Sequence, residues 1–289
     1  MPTRRIRAMV VCTWVALLAA AVGGCAVWTD RDSESSGTNP LPQLRENRRS
    51  LILKVEFIPI EVDTSTPDEI QSLWQWVDES PIDNVKRRQL VSNGIRVGRL
   101  LREDRFRSRL ESISVDKNVL DDFLTQADIA SEVSHGSRRI PMRMGRRYEL
   151  PVRQPIDGNH VSLVRLNDEL TGRTLTDPQF LFAVTPTSGS MSQQVSLRLR
   201  PEIQHGSMRQ RWVSSDTALR IDTRRETWSL KELDVNLAGV ENDTFVIGSV
   251  APAVGIGKQM LGGKSNDQTQ QQVIMLIKLA QVPTPADRL

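Results

Sequence analysis

From residue 140 to the end of the chain, short runs with β character recur between turn signals, and no other feature restricts the fold as strongly. The runs cover 148–152, 161–166, 180–185, 195–203, 211–213, 217–222, 227–237, 244–250 and 273–282. Val195-Ser196-Leu197-Arg198-Leu199-Arg200 alternates strictly, so its apolar side chains share one strand face and its polar ones the other. Strands so short and closely spaced argue a mostly antiparallel β domain over 138–289. No repeat of fixed period is present.

Residues 51–137 read differently, as one strand followed by a helical segment, which makes the whole an α+β chain. The run 51–60 alternates from Leu53 to Phe57 and is a strand. Thr66-Pro67-Asp68-Glu69 then supplies a capping Thr, a Pro at the first helical position and a Glu at the reciprocal capping position. Ile70, Leu73, Trp74 and Val77 follow at i, i+3, i+4 and i+7, which predicts an amphipathic helix. A second helix is expected over 83–92, ending where Gly94 of Asn93-Gly94 can turn left-handed. After a short strand at 95–101, Phe106, Leu110 and Ile113 mark a third helix.

The first residues address the chain. Arg4, Arg5 and Arg7 precede an uncharged stretch, 8–21, too short to span a bilayer, which needs about 20 residues. This is the pattern of a signal peptide over 1–24. It ends in Val22-Gly23-Gly24-Cys25, which resembles the bacterial lipobox, and that resemblance implies acylation of Cys25 as the first residue of the mature chain. Ala26 in place of Asp at the next position implies, in the same family of signals, no retention at the inner membrane. The only other cysteine, Cys12, lies in the leader, so no thiolate remains for a metal, a disulfide or nucleophilic attack. Residues 29–47 are polar, rich in Ser and charge, and fit a tether within 25–50.

Composition enters here. With 289 residues, 38% hydrophobic, 17 Gly and 25% charged, the chain is an ordinary globular one of one or two domains. Removing Arg4, Arg5 and Arg7 from 38 basic residues leaves 35 against 35 acidic ones, so no global field draws a nucleic acid.

Motifs for catalysis are incomplete. Gly255-Ile256-Gly257 starts a dinucleotide fingerprint whose third glycine is Met260, and Gly257 to Gly263-Lys264-Ser265 is one residue too long for a phosphate loop. A glycine-rich surface loop is expected there, with no cofactor. His135, His160 and His205 have no short-spaced partner for a metal, and Ser188-Gly189-Ser190 lacks the nucleophile elbow of a hydrolase. Asp78-Glu79, Asp121-Asp122 and Glu241 with Asp243 are carboxylates of helix ends and turns, which a glycoside hydrolase could use only if they converge in space. Two features point to binding. Arg138, Arg139, Arg143, Arg146, Arg147 and Arg153 face only Glu149, which suits an anionic partner such as lipid headgroups, an acidic envelope polymer or another subunit. Trp76 stands two residues from Trp74, off the apolar stripe, and is a candidate interface aromatic.

The order of the β runs carries a resemblance. Phe182-Ala183-Val184-Thr185-Pro186, Val195 to Pro201-Glu202-Ile203, Asp243-Thr244-Phe245-Val246-Ile247-Gly248-Ser249-Val250, a Pro/Gly loop at 252–263 and a last strand from Val273 resemble the closing part of the bacterial secretin domain. Residues 51–60 are similar to its opening strand. Asn242-Asp243 and Gly248-Ser249 stand where that family has Gly-Glu and Gly-Gly. Leu73-Trp74, Val77-Asp78-Glu79, Asn93-Gly94-Ile95-Arg96-Val97-Gly98, Gln204-His205-Gly206 and Arg209-Gln210-Arg211-Trp212-Val213 resemble a group of planctomycete envelope lipoproteins. Together these imply an exported, membrane-anchored lipoprotein with a non-catalytic structural or binding role and possible oligomerisation. The alternatives are a ring-forming export component and an exported hydrolase of envelope polymers.

Overall fold

In the computed structural model, which describes residues 50–63, 65–66, 68–113, 137–215, 218–265 and 268–284 (211, 213–215, 218–220, 264 and 265 by backbone alone), the strands pair only antiparallel. The leader, Cys25, the tether, Asp121-Asp122 and His135 lie outside those residues. The fold is mostly antiparallel β, as the recurring short runs required. Among the described residues no helix is long and apolar enough to cross a membrane.

The larger sheet takes strands from both ends of the chain. Its order is β2 (Val77–Asp78), β3 (Ile95–Leu100), β12 (Thr244–Ser249), β14 (Thr269–Gln281), β1 (Leu51–Asp63) and β4 (Ser137–Met142), with β13 (Gly262–Ser265) also paired to β14. The β1–β14 ladder runs from Ile52 opposite Gln281 to Asp63 opposite Thr269. The expected division at 137/138 therefore falls inside one sheet. All described residues belong to the single unit Glu46–Leu289.

Both faces of this sheet are covered, which explains why β12 and the middle of β14 read as unbroken apolar runs. On one face Leu53, Val55, Phe245, Met275 and Ile277 share a cluster with the second sheet. That sheet has the order β10 (Ala218–Ser229), β9 (Val195–Ser215), β8 (Gln179–Ser188), β5 (Tyr148–Pro151), with β11 (Val235–Gly239) also on β9. Phe180, Phe182, Val184, Val195, Leu197 and Leu199 are its contribution. On the other face Ile60, Val62, Val246, Ile274 and Leu276 pack against two short helices, α1 (Asp68–Leu73) and α3 (Glu103–Ile113), through Ile70, Leu73, Phe106 and Leu110. Charge locks α3 down as well. Arg107 joins Glu56 of β1 at 2.9 Å and Glu103 at 2.9 Å, Lys54 joins Glu56 at 2.6 Å, and Lys278 of β14 joins Glu103 at 3.3 Å. Burial works to raise the carboxyls of Glu56 and Glu103, but the cations around them outweigh it and hold both below the ordinary carboxylate range.

Helix α2 (Asn84–Ser92) begins and ends where the sequence predicts. Asp83 accepts the Val85 N–H at 3.0 Å, and Gly94 takes φ +81°. Gly94 has a second reason to be glycine. A Cβ there would lie 1.9 Å from the Val254 carbonyl oxygen, and one at Gly257 would lie 2.0 Å from that of Gly94. The glycines of the failed fingerprint thus serve a backbone-to-backbone contact. The expected glycine-rich loop holds a helix, α4 (Gly255–Leu261), with Ile256, Met260 and Leu261 buried, and β13 follows it. Asn93, 1% exposed, ties this corner to the hairpin of β6 (Asn159–Leu166) and β7 (Glu169–Thr176), exchanging 2.7 Å hydrogen bonds with the backbone of Arg165.

Candidate functional site

The helix expected to run through Val77 stops at Leu73. Trp74–Trp76 tighten into a single 3-10 turn, and Val77–Asp78 leave as β2 to pair with Leu100 and Arg99. Just past that pairing the Asp78 carboxylate accepts the Ser80 N–H at 3.0 Å and the Ser80 hydroxyl, fixing the turn that follows β2. Those bonds hold the Asp78 carboxyl below its usual value. Ile70, Leu73, Trp74 and Val77 are all buried nonetheless, because the turn keeps them facing the sheet.

This early exit opens a cleft of about 500 Å³ between α1, α2, β3 and the end of β12, within the volume range of small-molecule sites, roughly 300–1,000 Å³. Trp74 stands in its wall, and its ring edge presses on Gly248, where an added Cβ would come within 3.1 Å of Cζ2. The Arg96 guanidinium lies 4.2 Å from the Trp74 ring centroid and forks onto Glu79, with Nε to Oε1 at 2.9 Å and an Nη to Oε2 at 3.0 Å. A guanidinium stacked and forked in this way is held in one orientation.

Arg87 and Arg88 of α2 enter the same cleft. Arg87 donates to the Asn84 side chain at 2.7 Å and, among the described residues, meets no carboxylate; Arg88 is exposed and makes no hydrogen bond or ion pair there. Ile70, Val91 and Ala251 supply apolar wall. With Glu79 matched by Arg96, two positive charges are left over apolar surface. Chemically this suits an organic anion, its charged end on Arg87 and Arg88 and its body against the apolar wall.

The six arginines of the 138–153 run have different surroundings. Arg147 pairs with Glu149 at 2.6 Å and with Glu202, a residue only 3% exposed. Arg153 donates to the carbonyls of Gln259 and Gly262 at 2.6 and 3.3 Å, satisfying acceptors that the end of α4 leaves open. Arg138 lines a hollow of about 220 Å³ beside Val55, Phe57 and Tyr148. Arg139, Arg143 and Arg146 are exposed, and the Arg143 N–H donates to the Tyr148 hydroxyl at 2.7 Å. Trp76 is half-buried against the cluster under α1 and α3.

Nor do the other candidates converge. His160 shares a hydrogen bond with the Asp157 carbonyl at 2.8 Å, and Ser190 donates to Gln194 in the loop between β8 and β9. Asp243 accepts the Val240 N–H at 2.9 Å inside its own turn. Among the described residues no group of His, Cys, Asp or Glu is placed to hold a metal. Sequence reading missed Arg87 and Arg88 as site residues, although the quoted segments around Trp74, Glu79 and Arg96 all lead to this cleft. A helix from 83 to 92 with two adjacent arginines beside Val91 was the available signal. No protein family, curated protein or solved structure matches the chain.

Proposed function

We propose that the chain is a lipid-anchored protein of the bacterial cell envelope, attached through Cys25, that binds rather than catalyses, and that its ligand is an organic anion taken into the cleft beside Trp74. The observation that carries the binding role is the pair Arg87 and Arg88, which meet no carboxylate among the described residues and stand above apolar wall. The finer fold reading, a helical N-terminal segment followed by a secretin-like domain, goes with it. In its favour, β12, the loop bearing α4 and the last strand β14 follow one another in that family's order. A ring-forming export component is the second reading on the same observation; it requires a large, detergent-resistant symmetric oligomer, whereas the binding protein needs none.

The anchor is tested by fractionation. The chain is expected in membranes and Cys25→Ser is expected to release it; retention of that variant would remove the anchor. The ligand is tested by calorimetric titration of detergent-solubilised chain with hexanoate and benzoate. Saturable binding that Arg87→Ala with Arg88→Ala abolishes supports the cleft, and binding indifferent to both changes ends the proposal.

A further inference from the structure

Helix α2 turns apolar side chains to water on the face that a surface helix ordinarily keeps polar. Leu90 is its buried residue. On the far side Val85, Arg88 and Val91 follow one another at intervals of three, with Val85 55% and Val91 40% exposed. They span about 9 Å of helix axis. Arg88, Val91 and Ser92 line the cleft, whereas Val85 stands outside it, one turn before Arg88. Val254 is close by: it is 42% exposed, and its carbonyl packs on Gly94, two residues past Ser92. Apolar surface with a cation in its midst therefore reaches past the end of the cleft.

Two features fit a chain better than a small acid. The cleft is open to water, since Gln71 of α1 and Arg88, Val91 and Ser92 of α2 are all exposed, whereas a small guest is ordinarily about 70–90% enclosed. Arg87 and Arg88 are also neighbours in sequence, so they leave the helix about 100° apart and offer two separate anchors. Two carboxylates carried along one chain match them, where a single acid engages one. Neither guanidinium meets a carboxylate among the described residues, and Arg87, Arg88 and Arg96 against Glu79 leave the cleft two charges positive. Its complement is an acidic segment, and the two valines of α2 require that segment to carry aliphatic side chains between its carboxylates. A hydroxyl-covered acidic polymer would leave Val85 and Val91 without an apolar contact.

We propose that the exposed face of α2 and the cleft together dock an acidic, aliphatic peptide segment of a protein partner, which rests on the reading of the cleft as an organic-anion site and names the class of anion. The test is calorimetric titration of the detergent-solubilised full chain with a capped hexapeptide of alternating leucine and glutamate. Hexanoate and two control peptides, one with glutamine for glutamate and one with serine for leucine, are titrated beside it. The acidic peptide should bind at least about tenfold more tightly than hexanoate or either control. Val85→Ser should weaken the peptide about fivefold and leave hexanoate unchanged, while Arg88→Ala should weaken both. Both side chains are exposed, so the fold is not at stake. The proposal is overturned if hexanoate binds as tightly as the peptide, if Val85→Ser is without effect, or if light scattering shows a dimer that Val85→Ser disperses, which would make a second copy the cover. Hexanoate binding without peptide binding ends this proposal and leaves the cleft standing; binding of neither ends both.

Discussion

The two groups of arginines in this chain meet opposite fates. The six between 138 and 153 are dense in sequence but are dealt out to an edge strand, a loop, a buried glutamate and the carbonyls at the end of α4. Arg87, Arg88 and Arg96 are sparser, yet a helix and the strand after it bring them to one cleft. Alternation sends successive residues of a strand to opposite faces, so a run of charge on β structure is divided, whereas a helix followed by a strand can converge. Local charge density is therefore a poor guide to where charge collects in a β-rich protein.

The sharpest way to break this contrast is Arg147→Ala. It leaves the buried Glu202 with the Ser229 hydroxyl, at 3.0 Å, and the charge of Arg200 nearby, and should cost about 2 kcal/mol, reduced from the value of a fully buried pair because Arg147 is itself half-exposed. Denaturant unfolding measures it; an unchanged midpoint would put Arg147 among the free arginines. Arg96→Ala comes next, losing the fork to Glu79 and the stack on Trp74 for about 1.5 kcal/mol, and Arg96→Lys should recover little because an ammonium cannot fork. The Glu56–Arg107–Glu103 network supplies an acid-sensitive effect. Its carboxyls have folded values below their unfolded ones, so its contribution is full above the ordinary carboxylate range and fades as pH falls through the lowered values. Melting temperature should drop on acidification, less steeply in Glu56→Gln. Arg88→Ala should change stability by no more than about 0.5 kcal/mol while weakening a bound carboxylate about tenfold. Arg139→Gln and Arg146→Gln should move neither.

Much of the β architecture was legible because burial imposes period two, as at Val195–Arg200 and Leu53–Phe57, and the ends of α2 were legible from Asp83 and Gly94. Strand β4, Ser137–Met142, was not, since it is an edge strand with Pro141 and little apolar pattern. Strand β7 was missed too, although Asn167 and Asp168, both with positive φ, form the kind of two-residue turn that makes a hairpin with β6. The separate runs 195–203 and 211–213 are one strand, β9, because a two-stranded ribbon lacks the one-sided burial that alternation reports. The cleft was least legible. It depends on a helix ending four residues early, where Val77 and Asp78 leave to pair with Leu100 and Arg99, a pairing across more than twenty residues that no local pattern announces.

The contact between Gly94 and Gly257 sets the character of that cleft. Segments more than a hundred residues apart touch main chain to main chain just behind its rim, and the Val250 N–H bonds to the Gly94 carbonyl at 3.1 Å. No rotamer change can widen such a seam. That side of the opening therefore keeps one width whatever guest the arginines admit, and adjustment to a guest falls to the side chains of the opposite wall, Gln71, Arg87 and Arg88.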